Sequence, residues 1–282
     1  MLVTAPIDPI DYLVIGHLTC DLTPAGCKLG GTAAYAALTA RALGLRPGIV
    51  TSCSPTLDLS PLDGIPVVNY SASESTTFKN IDSGNGRQQQ ILAVADSLDY
   101  YHLPDSWRTT PIIHLGPVAR EIEPNIIRSL SNPLLGATIQ GWLREWDESG
   151  NVYYSEWPEA LYALQHMGAI VLSMEDISRN EEILVEYASA SAIMAVTDGS
   201  DGVRLFWHGD VRRIATSVVN EVDTVGAGDI FSAAFFVRLY TTRDPWEAAR
   251  FAAQISAISV SRSWLDSVPT QEEIEAALVE VL

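Results

Sequence analysis

The stretch Val222-Asp223-Thr224-Val225-Gly226-Ala227-Gly228-Asp229-Ile230-Phe231-Ser232 holds residue types suited to phosphoryl chemistry. Two glycines flank an alanine, a carboxylate follows, and Ile230–Tyr240 then reads as an apolar helical segment. A glycine pair before a helix lets the backbone turn sharply and leaves unpaired N–H groups at the helix start. Together with the positive end of the helix dipole, those donors suit an anion such as a transferring phosphoryl group. Asp229 would stand at the rim of that site, where a carboxylate can take the proton of an attacking hydroxyl. The alternative is that Asp229 only decorates the first helical turn, where acids are favoured in any case.

Other chemistry-bearing residues lie where strands are expected to end. Asp11–Gly16 reads as a short buried strand leading into His17-Leu18-Thr19-Cys20-Asp21. Polar groups just past a parallel strand are where open α/β sheets bind ligands, so Asp21 could grip substrate hydroxyls; it could equally be a turn former before Thr23-Pro24. Gly30-Gly31-Thr32 opens an Ala- and Leu-rich helix ending at Leu43-Gly44, and the pair suits either ligand approach or tight packing on the sheet. His17 has no evident partner and reads as structural.

The intervening elements fix the fold class. Ile49–Thr51 is a strand. Ile65–Tyr70, Ser75–Ile81 and Arg87–Val94 then read as three strands with no helix between them and a tight turn at Ser83–Gly86. That pattern predicts a small antiparallel sheet over residues 65–95, whose polar face is either solvated or a lid over a polar substrate. From Ile112 onward, strands at Ile112–Gly116, Gly136–Gln140, Ala169–Ser173 and Ala192–Thr197 alternate with helices, and Val203–Trp207 returns as a hairpin through His208–Asp210. Helices at Arg250–Ser261 and Gln271–Leu282 end the chain. The expectation is an α/β protein with a doubly wound, mostly parallel central sheet, helices on both faces and an appended β-lid, in a single domain over residues 1–282.

Composition narrows the function class. The 282 residues carry a formal net charge of −18, and Lys28 and Lys79 are the only lysines, which disfavours nucleic acid as a partner. There is no apolar run long enough to span a bilayer and no basic leader, so a soluble, cytoplasmic protein without a membrane partner is expected. Cys20, Cys27 and Cys53 lack zinc-type spacing and read as buried or idle thiols. Lys28 and Lys79 follow Cys27 and Phe78, so there is no Walker loop, and Gly16-His17-Leu18 does not supply a dinucleotide fingerprint.

Asp223-Thr-Val-Gly-Ala-Gly-Asp229 resembles the D-T-x-G-A-G-D signature of the ribokinase-like, or phosphofructokinase B-type, carbohydrate kinases. Gly30-Gly31 resembles that family's substrate-side double glycine, Gly16–Asp21 its first-strand segment, and Val196–Gly202 its V-T-x-G-x-x-G nucleotide loop. The resemblance implies Asp229 as catalytic base, with Gly226, Ala227 and Gly228 as the anion hole. It places Thr197, Gly199, Gly202 and Thr224 along ATP, and Thr19, Asp21, Gly30 and Gly31 along the acceptor. Mg²⁺ would be organised at Asp176 or Glu175, although the family's N-x-x-E element is altered here to Ser173-Met174-Glu175-Asp176. Asp223 and carbonyls near Val225 resemble the family's site for a monovalent cation such as K⁺.

Only eight residues separate Asp21 from Gly30, which predicts a lid built mainly from residues 65–95 and leaves the family's lid-mediated dimer open, so either monomer or homodimer is expected. Thr76-Thr77-Phe78-Lys79-Asn80 with Arg87-Gln88-Gln89 resembles the lid segment of myo-inositol kinases, which adds Lys79 and Arg87 to the substrate side and points to a sugar or polyol, a cyclitol first. A nucleoside kinase with Tyr35 or Trp142 as an aromatic clamp, and a catalytically silent sugar- or nucleotide-binding regulator, are the competing readings.

Overall fold

The computed structural model describes residues 8–82, 87–131, 133–217 and 219–279. The elements are β1 (Tyr12–Ile15), β2 (Thr19–Thr23), β3 (Gly26–Gly30), α1 (Thr32–Ala42), β4 (Pro47–Cys53), β5 (Val67–Ser71), β6 (Thr77–Asp82) and β7 (Arg87–Ala93). Next come β8 (Ile112–Leu115), α2 (Ile126–Ser129), β9 (Leu134–Thr138), β10 (Arg144–Trp146), β11 (Val152–Tyr154), α3 (Ala160–Gln165), β12 (Ala169–Ser173) and α4 (Glu181–Ala190). The last are β13 (Ile193–Thr197), β14 (Val203–Trp207), β15 (Asp210–Ile214), α5 (Ala227–Thr242), α6 (Pro245–Ser259) and α7 (Gln271–Val279). The turn expected at Ser83–Gly86 lies outside the described residues.

Nine strands form the main sheet in the order β15-β14-β13-β12-β9-β8-β1-β4-β5. All are parallel except β14 and β15, which return as antiparallel hairpin strands. Strands such as β1 and β8 are buried along their whole length because helices cover both faces. Residues from α1, α5, α6 and α7 fill one face with Ala, Phe and Ile; Trp107, Trp142, Ile126 and Leu184 help fill the other. The chain runs outward from β1 through β4 to β5, then returns to β8 and runs the other way. That reversal between β1 and β8 is a topological switch point, and the crevice beyond the strand ends there is the expected place for a ligand.

Two expectations about the lid are corrected. Ile65–Tyr70 does not belong to it: β5 pairs in parallel with β4 and extends the main sheet, reached through a connection containing the 3₁₀ turn Ser60–Leu62. In its place, the short segment after β1 supplies the hairpin β2–β3, and the lid is a four-stranded sheet ordered β3-β2-β6-β7. Eight residues between Asp21 and Gly30 are enough because each arm needs only five residues, with the chain turning at Pro24-Ala25. Cys20 and Cys27 lie on one face of this hairpin and are joined by a disulfide, a correction to their reading as idle thiols; Cys53 is free and buried. The hairpin β10–β11, whose Asn151 bridges to Gln90 in β7, was not expected from sequence.

Buried polar groups fix the roots of the lid. The Nδ1 of His17 lies 2.6 Å from the hydroxyl of Thr76, and its Nε2 lies 2.9 Å from the carbonyl of Asp96. An N–H donating to Asp96 leaves Nδ1 to accept from Thr76, so one imidazole ties the end of β1 to both ends of the β6–β7 excursion. Glu121 accepts from the backbone N–H groups of His17, Val118 and Ala119 at 2.7–3.0 Å, which staples the loops after β1 and β8 together beside the switch point. Deleting a buried carboxylate that satisfies three backbone donors should leave all three orphaned. We therefore expect Glu121→Ala to lose roughly 3–5 kcal/mol of stability, read as a lower urea midpoint; an unchanged midpoint would refute the staple.

Candidate active site

A cleft of about 830 Å³ lies beyond the strand ends, between the lid and the N-terminus of α5. Gly226 caps α5 in a left-handed conformation, φ 80°. A Cβ there would meet the ring of Tyr35 at 2.3 Å, so both the dihedral and the space demand glycine. The first intrahelical bond is donated by Ile230 to the carbonyl of Gly226 at 2.9 Å. The N–H groups of Gly228 and Asp229 precede that bond and have no helical acceptor, while the N–H of Ala227 is used in a turn to Thr224. Of the expected anion hole Gly226, Ala227 and Gly228, Gly228 thus keeps its donor open to an anion and Ala227 does not, while the N–H of Asp229 adds a donor that was not expected there.

Asp229 lies in the first turn of α5, partly exposed to the cleft, and its Oδ1 accepts a hydrogen bond of 2.7 Å from Thr32 at the start of α1. Burial pushes its carboxyl up to about 6; the Thr32 bond and the charge of Arg144 pull it down, and Asp176 and Asp21 raise it. Desolvation and neighbouring acids therefore outweigh the helix N-terminus, which alone would favour the charged form. The group remains mostly ionised at neutral pH and is a stronger base than an exposed Asp. That suits it to receive a proton from a hydroxyl.

Two ends of the cleft flank Asp229. Toward the lid it is lined by Thr19, Asp21, Gly31, Thr32, Phe78, Gln88, Gln89, Gln140 and Arg144. Thr19 donates to Asp21 at 3.2 Å, and Arg144 donates to Gln140 at 2.8 Å. Gly30 lies beneath Asp21 rather than along the cleft: a Cβ there would strike the Asp21 carboxylate at 2.6 Å, so this glycine serves packing. Lys79 falls on the outer, exposed face of β6, because strand alternation turns Phe78 inward and Lys79 out. The side chain of Arg87 lies outside the described residues.

Toward α6, Thr197, Gly199, Gly202 and Thr224 all line the cleft, beside an apolar slot of Val219, Val225, Ala253, Ala257 and Val260. Glu175 and Asp176 line the same end. Asp176 accepts from the N–H of Ser173 at 2.7 Å through Oδ2 while Ser173 Oγ accepts from the N–H of Asp176, so Ser173 orients this carboxylate. No group of three His, Cys, Asp or Glu able to hold a metal is present among the described residues. One or two carboxylates beside a phosphate site nevertheless fit Mg²⁺, which keeps several waters and takes substrate oxygens. Asp223 gives one oxygen to the N–H of Val225 and the other to the N–H of Trp264, so it already braces the loop where a monovalent cation was expected.

Trp142, considered as a base clamp, is buried and stacked on Trp157 with its indole N–H on the carbonyl of Ile122; it belongs to the core. Thr32, Gln140 and Arg144 are the site residues that sequence reasoning missed. Thr32 had a signal, since it follows the double glycine at a helix start. Arg144 had none: it reaches the cleft through the unforeseen β10–β11 hairpin.

Residues 170–271 match the pfkB family carbohydrate kinase model. Over 88 residues, 31% of the chain, the sequence is 39% identical to ribokinase of Bacillus subtilis, and over 149 residues, 52% of the chain, it is 30% identical to inositol 3-kinase of Zea mays. Those segments span only 30% and 38% of the two relatives' lengths. Solved structures match nearly end to end. A pyrophosphate-dependent kinase in the ribokinase family, complexed with a pyrophosphate analog and myo-inositol, aligns with TM-score 0.80 at 20% identity, covering 94% of this chain and 99% of that one. Ribokinase of Arabidopsis thaliana, complexed with ribose and ATP, aligns with TM-score 0.71 at 18% identity over 96% and 99%. The fold is that of the ribokinase family.

Two outcomes follow from this geometry. Thr32→Val removes a bond that lowers the Asp229 carboxyl, so a carboxyl NMR titration should place Asp229 above its wild-type value; no movement would break the link. Gly226→Ala should cost roughly 1–3 kcal/mol through the left-handed dihedral and the Tyr35 contact, measured by denaturant unfolding, and wild-type stability would contradict it.

Proposed function

We propose that this chain, with its pfkB-type match and ribokinase fold as the premise, is a carbohydrate kinase that transfers the γ-phosphoryl group of ATP to a hydroxyl of a sugar or polyol. A myo-inositol-like cyclitol is the first candidate. The whole chain acts as one kinase domain with β2–β3 and β6–β7 as its lid. The observation that carries this reading is the position of Asp229, in the first turn of α5 and midway between a polar acceptor end and a donor end.

In the proposed reaction, the acceptor hydroxyl gives its proton to Asp229 as its oxygen bonds to the γ-phosphorus. The bond from that phosphorus to the bridging oxygen breaks, and ADP leaves. The N–H groups of Gly228 and Asp229 stabilise charge on the transferring group, in keeping with a reaction catalysed largely by positioning and electrostatics. Asp176, with Glu175 beside it, would hold Mg²⁺, which neutralises phosphate charge when bound. Asp21, Gln89 and Gln140 offer the acceptors and donors that neighbouring hydroxyls require, and Arg144 balances the acids around Asp229.

The donor is assigned as ATP on a specific ground. The slot of Val219, Val225, Ala253, Ala257 and Val260 suits a purine, which ATP has and pyrophosphate lacks. A nucleoside acceptor is disfavoured because Trp142 lies in the core and Tyr35, the other clamp considered, is buried with its ring against Gly226.

The test is product formation with Mg²⁺, pairing ATP and pyrophosphate as donors with myo-inositol, ribose, fructose and nucleosides as acceptors. The expected result is turnover with ATP and one polyol or sugar. Turnover with pyrophosphate alone would overturn the donor, and turnover with a nucleoside alone the acceptor. ATP binding with no acceptor phosphorylated would favour the silent regulator.

A further inference from the structure

Trp264 holds a left-handed backbone conformation, φ 58°. A bulky side chain carries a steric cost there that glycine would not, so the conformation persists only where neighbours fix it and the side chain has a use. The position closes the segment after α6, where glycine or asparagine would serve a simple turn. Trp264 makes three ties, two through its indole and one through its backbone N–H. Its Nε1–H donates to the carbonyl of Leu29 in β3 at 2.8 Å, its ring lies 4.6 Å from the ammonium of Lys28, and its backbone N–H donates to Asp223 Oδ2 at 3.3 Å.

Each tie leads to the same place. From Leu29 the chain continues through Gly30 and Gly31 to Thr32, whose hydroxyl donates to Asp229. From Asp223, whose other oxygen accepts from Val225, the chain continues into Gly226–Gly228 at the start of α5. The N–H groups of Val222 and Asp223 also donate to the carbonyl of Val260, in the same segment as Trp264. Trp264 thus joins the lid hairpin, through its indole, to the loop that forms the anion site, through its backbone N–H, and its indole partner Leu29 lies 235 residues away in sequence.

We propose that Trp264 is a positioning residue, a latch that holds the lid hairpin β2–β3 in register with the Asp223–Gly228 loop. Thr32 and Asp21 then meet Asp229 and a bound anion in one fixed arrangement. The left-handed backbone is retained with a tryptophan because from this point its indole N–H reaches the Leu29 carbonyl. The effect on turnover rests on the kinase reading above; the latch itself does not.

The experiment compares the full chain with Trp264→Gly, which keeps the left-handed backbone without the indole, and Trp264→Phe, which keeps a ring without the N–H. Hydrogen exchange resolved to residues 19–30 should be at least about 10-fold faster in both variants, with the thermal midpoint of Trp264→Gly no lower than wild type because strain is relieved. Acceptor KM should rise several-fold while donor KM stays within about twofold. Unchanged exchange in the hairpin overturns the latch, as does faster exchange that only tracks a fall in overall stability. If the wild-type chain transfers no phosphate, the kinase reading fails, and the exchange measurement still decides the latch.

Discussion

Everything at the site depends on keeping one carboxylate, Asp229, in a place hostile to its charge. It is desolvated in the cleft, with Asp21 and Asp176 adding repulsion, and the Thr32 hydroxyl and the Arg144 charge oppose them. The helix N-terminus beneath it contributes to the same balance. The outcome, a carboxyl near 6, serves a proton acceptor at neutral pH better than an ordinary Asp does. Each compensating group comes from a different element, so the fold must bring the start of α1, the β10–β11 hairpin and the start of α5 to one point.

The sheet supplies that convergence. Reversal of the chain between β1 and β8 opens the crevice, and Glu121 and His17 use buried hydrogen bonds to hold the loops on either side. Beneath them Tyr12, His114 and Thr138 form a buried polar chain through bonds of 2.7 and 3.0 Å. Burial drives the His114 imidazole down to about 3, so it stays neutral and adds no charge under Asp229. A chain with net charge −18 has little cationic surface to attract phosphates, and on the proposed function it relies on backbone donors, Arg144 and a metal.

Much of this was legible in sequence where local rules act alone. Alternating strands and helices after Ile112 announced the parallel sheet, and the Gly-Ala-Gly-Asp run announced the start of α5 with its orphan donors. What sequence missed depends on long-range partners. Ile65–Tyr70 has the same β-pattern as a lid strand, and only its register against Ile49–Cys53 places it in the main sheet. The β2–β3 hairpin is too short to stand out, and its exposed residues lack clean alternation. Lys79 belongs to a segment that resembles a substrate-side lid, yet period-two alternation with Phe78 turns it outward. Arg144 brings its charge near Asp229 from β10, whose pairing with β11 is invisible in a one-residue reading.

The most direct measurement is the pH dependence of kcat for phosphoryl transfer, in the wild-type chain and in Asp229→Asn, with ATP and the acceptor that turns over. With Asp229 as the proton acceptor, kcat should show an acidic limb with a midpoint near 6 and a plateau above it, and the variant should lose that limb with a fall in kcat of about 10²–10⁴-fold. Undiminished turnover in Asp229→Asn, or an unchanged acidic limb, would show that another group takes the proton.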